Sequence, residues 1–126
     1  MAKLNVGDYG MQFEDGHKPP VFFERKSIPD LFGTLGGGYS RFKREIIRAQ
    51  DSKVSLIVLI EGSFSKVLKG AEYSKMSGIS VMRRLFTIWV RYGVSFVCLN
   101  SRTEMAQYIM EAYYCMGKEY IRKKGK

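Results

Sequence analysis

The sequence predicts one α/β domain in which a small mixed sheet is flanked by helices. Three observations carry that reading. Strand-like and helix-like segments alternate along the chain. "VSLIVLI" at 54–60 is apolar without alternation and rich in β-branched residues, the pattern of a central strand covered on both faces. The chain has 126 residues, 45% of them hydrophobic, enough for one real core and too few for two.

The elements follow in order. "LNVGDYGMQF" at 4–13 reads as extended structure broken at Gly7, and "EDGHKPP" at 14–20 is a Gly- and Pro-rich turn. The strand "VFFE" comes next, so the two arms form a hairpin that brings Asp8 close to Glu24. A short helix is predicted over 28–35, with Ser27 as N-cap and Pro29 in its first turn, and "GGG" at 36–38 ends it. On a helix over 39–50, Tyr39, Phe42, Ile46 and Ala49 share one arc while Arg41, Arg44 and Arg48 form a basic stripe. Residues 62–78 read as a polar connection, and 79–92 as a helix whose apolar arc, from Ile88 through Val81, Leu85, Trp89 and Phe86 to Val90, covers about half the circumference. "VSFVCL" at 94–99 is another buried strand. "SRTE" at 101–104 is a capping box opening a last helix with Met105, Ile109, Ala112, Tyr113 and Met116 inside. The tail "RKKGK" is expected to fray.

Composition narrows the partners. Twenty-one Lys and Arg against twelve Asp and Glu give a net charge of +9, which favours a polyanion such as nucleic acid. The two cysteines, Cys98 and Cys115, sit in apolar company without metal-ligand spacing, so both are expected to be reduced, buried and structural. The longest apolar run is far short of a membrane span and the N-terminus lacks a signal-peptide core. The expected location is therefore intracellular, cytoplasm or nucleus, and not secreted.

The chemistry concentrates in "VFFERKSIPDLFGTL" at 21–35. Asp8 on one strand, then Glu24-x-Lys26 on the next, is the minimal constellation of restriction-endonuclease-like nucleases. Two carboxylates suit a hard cation held through oxygen, with positions left for water and a scissile phosphate. Lys26 would orient the attacking water and balance charge on the phosphorane. Strand alternation sends Glu24 and Lys26 to one face and Arg25 to the other. The longer string is more specific: "VGDYG" followed by "FFERKSIPDLFGTL" resembles the nuclease domain of the XPF family of structure-selective DNA endonucleases, whose signature is GD, a gap, then ERKxxxD. "SRFKREI", "VSLIVLIEG" and "RRLFTIWVRYGVSFVCLNSRTEMAQYI" extend the resemblance over nearly the whole chain.

The resemblance implies a restriction-endonuclease-like core over residues 1–117, a basic tail over 118–126, and Mg2+- or Mn2+-dependent hydrolysis of DNA near branches or single-strand to duplex junctions. It places Asp8, Glu24, Lys26 and Asp30 in the active site, with Asp8 and Glu24 on the metal. Arg25 and Arg41 would approach the phosphates; the basic stripe on 39–50 adds Arg44 and Arg48 as DNA contacts, and Glu61 is either an auxiliary acid near the metal or a strand-end carboxylate that caps the next turn. Family nuclease domains pair through their last helices, in agreement with the wide apolar arcs on 79–92 and 102–116, so a homodimer is expected. The chain departs from the family where an upstream Asp-x-Arg-Glu strand is usual, at Glu45 where Gln is usual, and in having no helix-hairpin-helix module. The metal site would then be less complete or supplemented from elsewhere, and the protein would work alone, recruit a protein partner that supplies further DNA binding, or be a fragment. Two other readings share these residues: a DNA-binding or scaffolding subunit that does not cut, and a Holliday-junction resolvase.

Overall fold

The computed structural model describes residues 3–4, 8–9 and 11–125, with side chains from Gln12 onward. Strands β1 (Lys3–Leu4), β2 (Asp8–Tyr9), β3 (Met11–Gln12) and β4 (Val21–Ser27) lead into helices α1 (Ile28–Leu35) and α2 (Tyr39–Asp51). β5 (Ser55–Glu61), α3 (Phe64–Lys69), α4 (Gly78–Tyr92), β6 (Ser95–Leu99) and α5 (Arg102–Lys124) complete the chain. The main sheet runs β2-β4-β5-β6, with β2 antiparallel to β4 and the other pairs parallel, so it is mixed as expected. β1 and β3 form a separate antiparallel pair.

Burial on both faces explains the unbroken apolar run of β5. Leu56, Val58 and Ile60 point into a core with Leu31, Phe32 and Leu35 of α1, Phe42 and Ile46 of α2, and Val81, Leu85 and Ile88 of α4. Leu59 points the other way, joining Phe23, Leu99 and the inner side of α5 at Met105, Ile109 and Tyr113. Tyr113 is buried and its hydroxyl donates to the Val21 carbonyl at 3.1 Å. Loss of water around the ring pushes that phenol up to about 12.

Local chemistry sets the boundaries. Ser27 Oγ accepts from the Asp30 amide at 3.2 Å, capping α1 with Pro29 in its first turn. Ser101 Oγ accepts from the Glu104 amide at 3.1 Å, while Glu104 reaches back to the Asn100 amide at 3.0 Å. α4 ends at Gly93, whose φ of 73° is the left-handed cap that glycine adopts without strain.

Four expectations need correction. The connection over 62–78 contains α3, capped by Ser63 and anchored by a single buried residue, Val67. Strand β6 is half-buried rather than fully buried, because it is the edge of the sheet. Cys98 is half-buried and its thiol is pushed up by desolvation, but Cys115 is exposed, on the outward side of α5. The basic tail does not fray at 122–124, because α5 continues to Lys124.

The end of α5 is held by the 12–18 turn. Tyr120 donates to Asp15 Oδ2 at 2.6 Å and Lys124 Nζ lies 3.0 Å from the same oxygen. Tyr120 also stacks on His17 with ring centroids 3.9 Å apart and on Phe13 at 5.4 Å. The Tyr120 hydrogen bond, then the His17 amide and Lys124, hold the Asp15 carboxyl well below its ordinary value of 3.8. A depressed folded pKa means that this clasp contributes fully above the ordinary value and is lost as pH falls through the folded one. Acid titration followed by the Tyr120 ring resonances is expected to show the end of α5 releasing only below pH 3.8, and Asp15→Asn to remove that step. Release at neutral pH would contradict it.

Candidate active site

The site begins at the register of two strands. Asp8 lies directly across from Glu24 in the antiparallel β2–β4 ladder, as the hairpin reading expects for their backbones. The Asp8 side chain lies outside the described residues. Glu24 is 8% exposed, and Lys26 Nζ sits 3.5 Å from its Oε1. Strand alternation puts these two residues on the side of β4 that faces α1 and α2.

Two adjoining clefts open on that side. Lys26, Asp30, Gly33, Arg41 and Glu45 line one of about 350 Å³, and Glu24, Glu45, Arg48 and Ser52 line a second of about 330 Å³. Glu45 borders both. α1 and α2 make this arrangement because the glycine run at 36–38 lets the chain reverse tightly: the Gly38 amide bonds the Gly33 carbonyl at 3.0 Å and the Tyr39 amide bonds Gly36 at 3.1 Å. Arg84 of α4 pins the junction, donating to the Leu35 carbonyl at 2.8 Å with its guanidinium 4.3 Å from the centre of the Tyr39 ring. The first turn of α2 thereby brings Arg41 to the cleft that holds Asp30 and Lys26.

Not every site residue of the sequence comes to the clefts. Arg25 faces α5, where its Nη1 donates to Glu61 Oε1 at 2.9 Å. Glu61 also has Arg102 Nε at 3.7 Å, so this strand-end acid acts as counter-ion to two arginines. Arg44 is exposed on the outer flank of α2, beside the lining residues rather than among them. In the sequence, Glu45 stands out only as a departure from the usual Gln. Its 100° periodicity with Arg41 and Arg48 is the signal that places it on the cleft side.

Among the described residues, no three of His, Cys, Asp and Glu gather closely enough to hold a metal ion. No described helix is long and apolar enough to cross a membrane. A mixed sheet, helices on both faces and an acid-x-lysine strand opening onto a cleft of mixed charge define an α/β domain of the restriction-endonuclease-like class. The ERCC4 domain model matches residues 1–112, and the chain belongs to that family of structure-specific nucleases. No curated protein matches it.

Proposed function

We propose that this domain is a divalent-metal-dependent DNA endonuclease that hydrolyses a phosphodiester near a branch or a single-strand to duplex junction. The observation that carries the reading is the shared cleft of Lys26, Asp30 and Arg41, set beside the cleft of Glu24 on the same side of β4. The donors available are carboxylate oxygens, which suit Mg2+ or Mn2+ rather than a thiophilic ion. Asp8 and Glu24 would hold the ion, which when bound polarises a phosphoryl oxygen and stabilises the leaving 3'-oxygen.

The remaining work falls to the chain's own groups. Lys26, tethered to Glu24, orients the attacking water and offsets charge on the phosphorane. Arg41 binds the scissile phosphate from the opposite wall, and Arg48 and Arg44 extend that contact along α2. Asp30, at the N-terminal end of α1, belongs to the same catalytic group. Arg25 acts from the far side of the strand through Glu61, a positioning role in place of direct phosphate contact.

Exposed apolar side chains support a homodimer. Phe86, Trp89 and Val90 of α4 and Met110, Tyr114 and Ile121 of α5 lie exposed on the two helices that flank edge strand β6. A second copy covering this edge removes both the apolar surface and the open strand. The functional test is a labelled panel of single strand, duplex, splayed arm, 3' flap and four-way junction, incubated with Mg2+, Mn2+ or EDTA. Metal-dependent incision of branched substrates is expected, from a protein that sediments as a dimer and dissociates on Trp89→Glu substitution. Binding of branched DNA without incision in either metal would favour the scaffolding reading, and paired symmetric cuts on the four-way junction would favour a resolvase.

A further inference from the structure

Tyr73 combines a fully exposed position with a strained backbone. The residue is fully exposed, at 102% of the reference area, and its backbone has a φ of 64°. It occupies the third position of the turn that the Ser74 amide closes onto the Ala71 carbonyl at 3.4 Å, a place that suits glycine when φ is positive. A bulky residue held there is strained, and strain that persists at the surface points to use.

Beside this turn lies a cleft of about 420 Å³, with Tyr73, Lys75 and Met76 on one wall and Gly33, Gly36 and Gly37 at the end of α1 on the other. A Cβ placed at Gly33 or Gly37 would meet nothing within 4 Å, whereas one at Gly36 would meet the Phe32 carbonyl at 2.9 Å and Met76 Sδ at 3.6 Å, so the open backbone that a flat ring can approach lies at Gly33 and Gly37. Pro29 and Gly33 line this cleft and also the Lys26–Asp30–Arg41 cleft. The two clefts therefore adjoin along α1, with no side chain at Gly33 between them.

We infer that the Tyr73 cleft is a subsite for an unpaired nucleobase, reached by the single-stranded arm as it leaves the phosphate-binding cleft. The inference rests on the nuclease reading for its substrate class. Every base has a π-face, so a tyrosine platform selects single strands without selecting sequence. A duplex keeps its bases stacked on each other and offers no ring to Tyr73. Lys75 can meet one phosphate and Glu72 on the same turn carries the opposite charge, so stacking is the main contribution of this cleft.

The test uses the full chain in EDTA, with fluorescence anisotropy of a labelled oligothymidylate and of a labelled blunt duplex. Tyr73→Gly is expected to weaken oligothymidylate binding about tenfold, at low and at high salt alike, and to leave duplex binding unchanged. The same variant should melt higher than the parent, because glycine accepts the positive φ without strain. Tyr73→Trp should bind the single strand at least as well. Equal oligothymidylate affinity in parent and Tyr73→Gly, or an equal loss on duplex, would overturn the subsite. A parent that cuts branched DNA while Tyr73→Gly binds normally refutes this inference alone. A parent that binds single strands through Tyr73 yet never cuts refutes the nuclease reading and supports the subsite.

Discussion

Glu24→Gln is expected to lower metal-dependent cleavage by about 10²–10³-fold, the usual cost of losing one preorganised electrostatic group from an active site. The substitution keeps the shape of a side chain that is 8% exposed and removes its charge. Two consequences follow from the 3.5 Å separation between Glu24 and Lys26. On the proposed mechanism the cation would lose a ligand charge, and Lys26 would lose the partner beside its ammonium. Affinity for branched DNA should hold or rise slightly, because a negative charge has left a surface that meets phosphates. Single-turnover cleavage beside anisotropy separates the two effects. A variant that cuts at the parental rate would show that Glu24 is a structural ion-pair member and that the site lies elsewhere.

Phe23→Ala is expected to destabilise the fold by about 3–5 kcal/mol, the range for deleting a buried aromatic ring. Phe23 is 0% exposed and meets Tyr113 edge-to-face, ring centroids 5.3 Å apart at 85°, with Tyr108 in the same geometry at 6.1 Å. It is also the residue before Glu24 on β4, so the packing that holds α5 on the sheet holds the strand that carries Glu24 and Lys26. Urea unfolding should show the loss at an unchanged slope, with Tyr113→Phe costing only about 1 kcal/mol for its hydrogen bond to Val21. A loss below that of Tyr113→Phe would mean that the α5 layer contributes little to holding β4.

The parts of the fold that were legible in the sequence rest on local chemistry. Ser27 and Pro29 fix the start of α1, the Gly- and Pro-rich turn at 14–20 leads from the Asp8 arm to β4, and the absence of alternation marks β5 as doubly covered. α3 escaped because six residues with one buried side chain carry too little periodicity, although Ser63 was a readable cap. The helical end of α5 escaped for a different reason. Its charged sequence reads as solvated, and the Asp15 contacts that hold it come from the other end of the chain. Cys115 was misplaced by its apolar neighbours, although helical spacing from inward-facing Tyr113 turns it outward.

At the site, strand alternation predicted the separation of Arg25 from Lys26, but not what waits on the far face. Glu61 meets Arg25 only once β4 and β5 are paired in register, a contact that spans 36 residues. Glu45 was hidden similarly, since its role as a border between two clefts depends on how α2 lies over β4. Local pattern named the acids and the lysine. The assembly of strands and helices decides which of their neighbours join them.

The most direct measurement is single-turnover incision of a labelled 3' flap by the parent chain and Glu24→Gln, each in Mg2+ and in EDTA. The account predicts cleavage near the junction only for the parent with Mg2+, and none in the other three reactions beyond the residual rate of the variant. Cleavage by the parent in EDTA, or equal cleavage by both proteins in Mg2+, would contradict it.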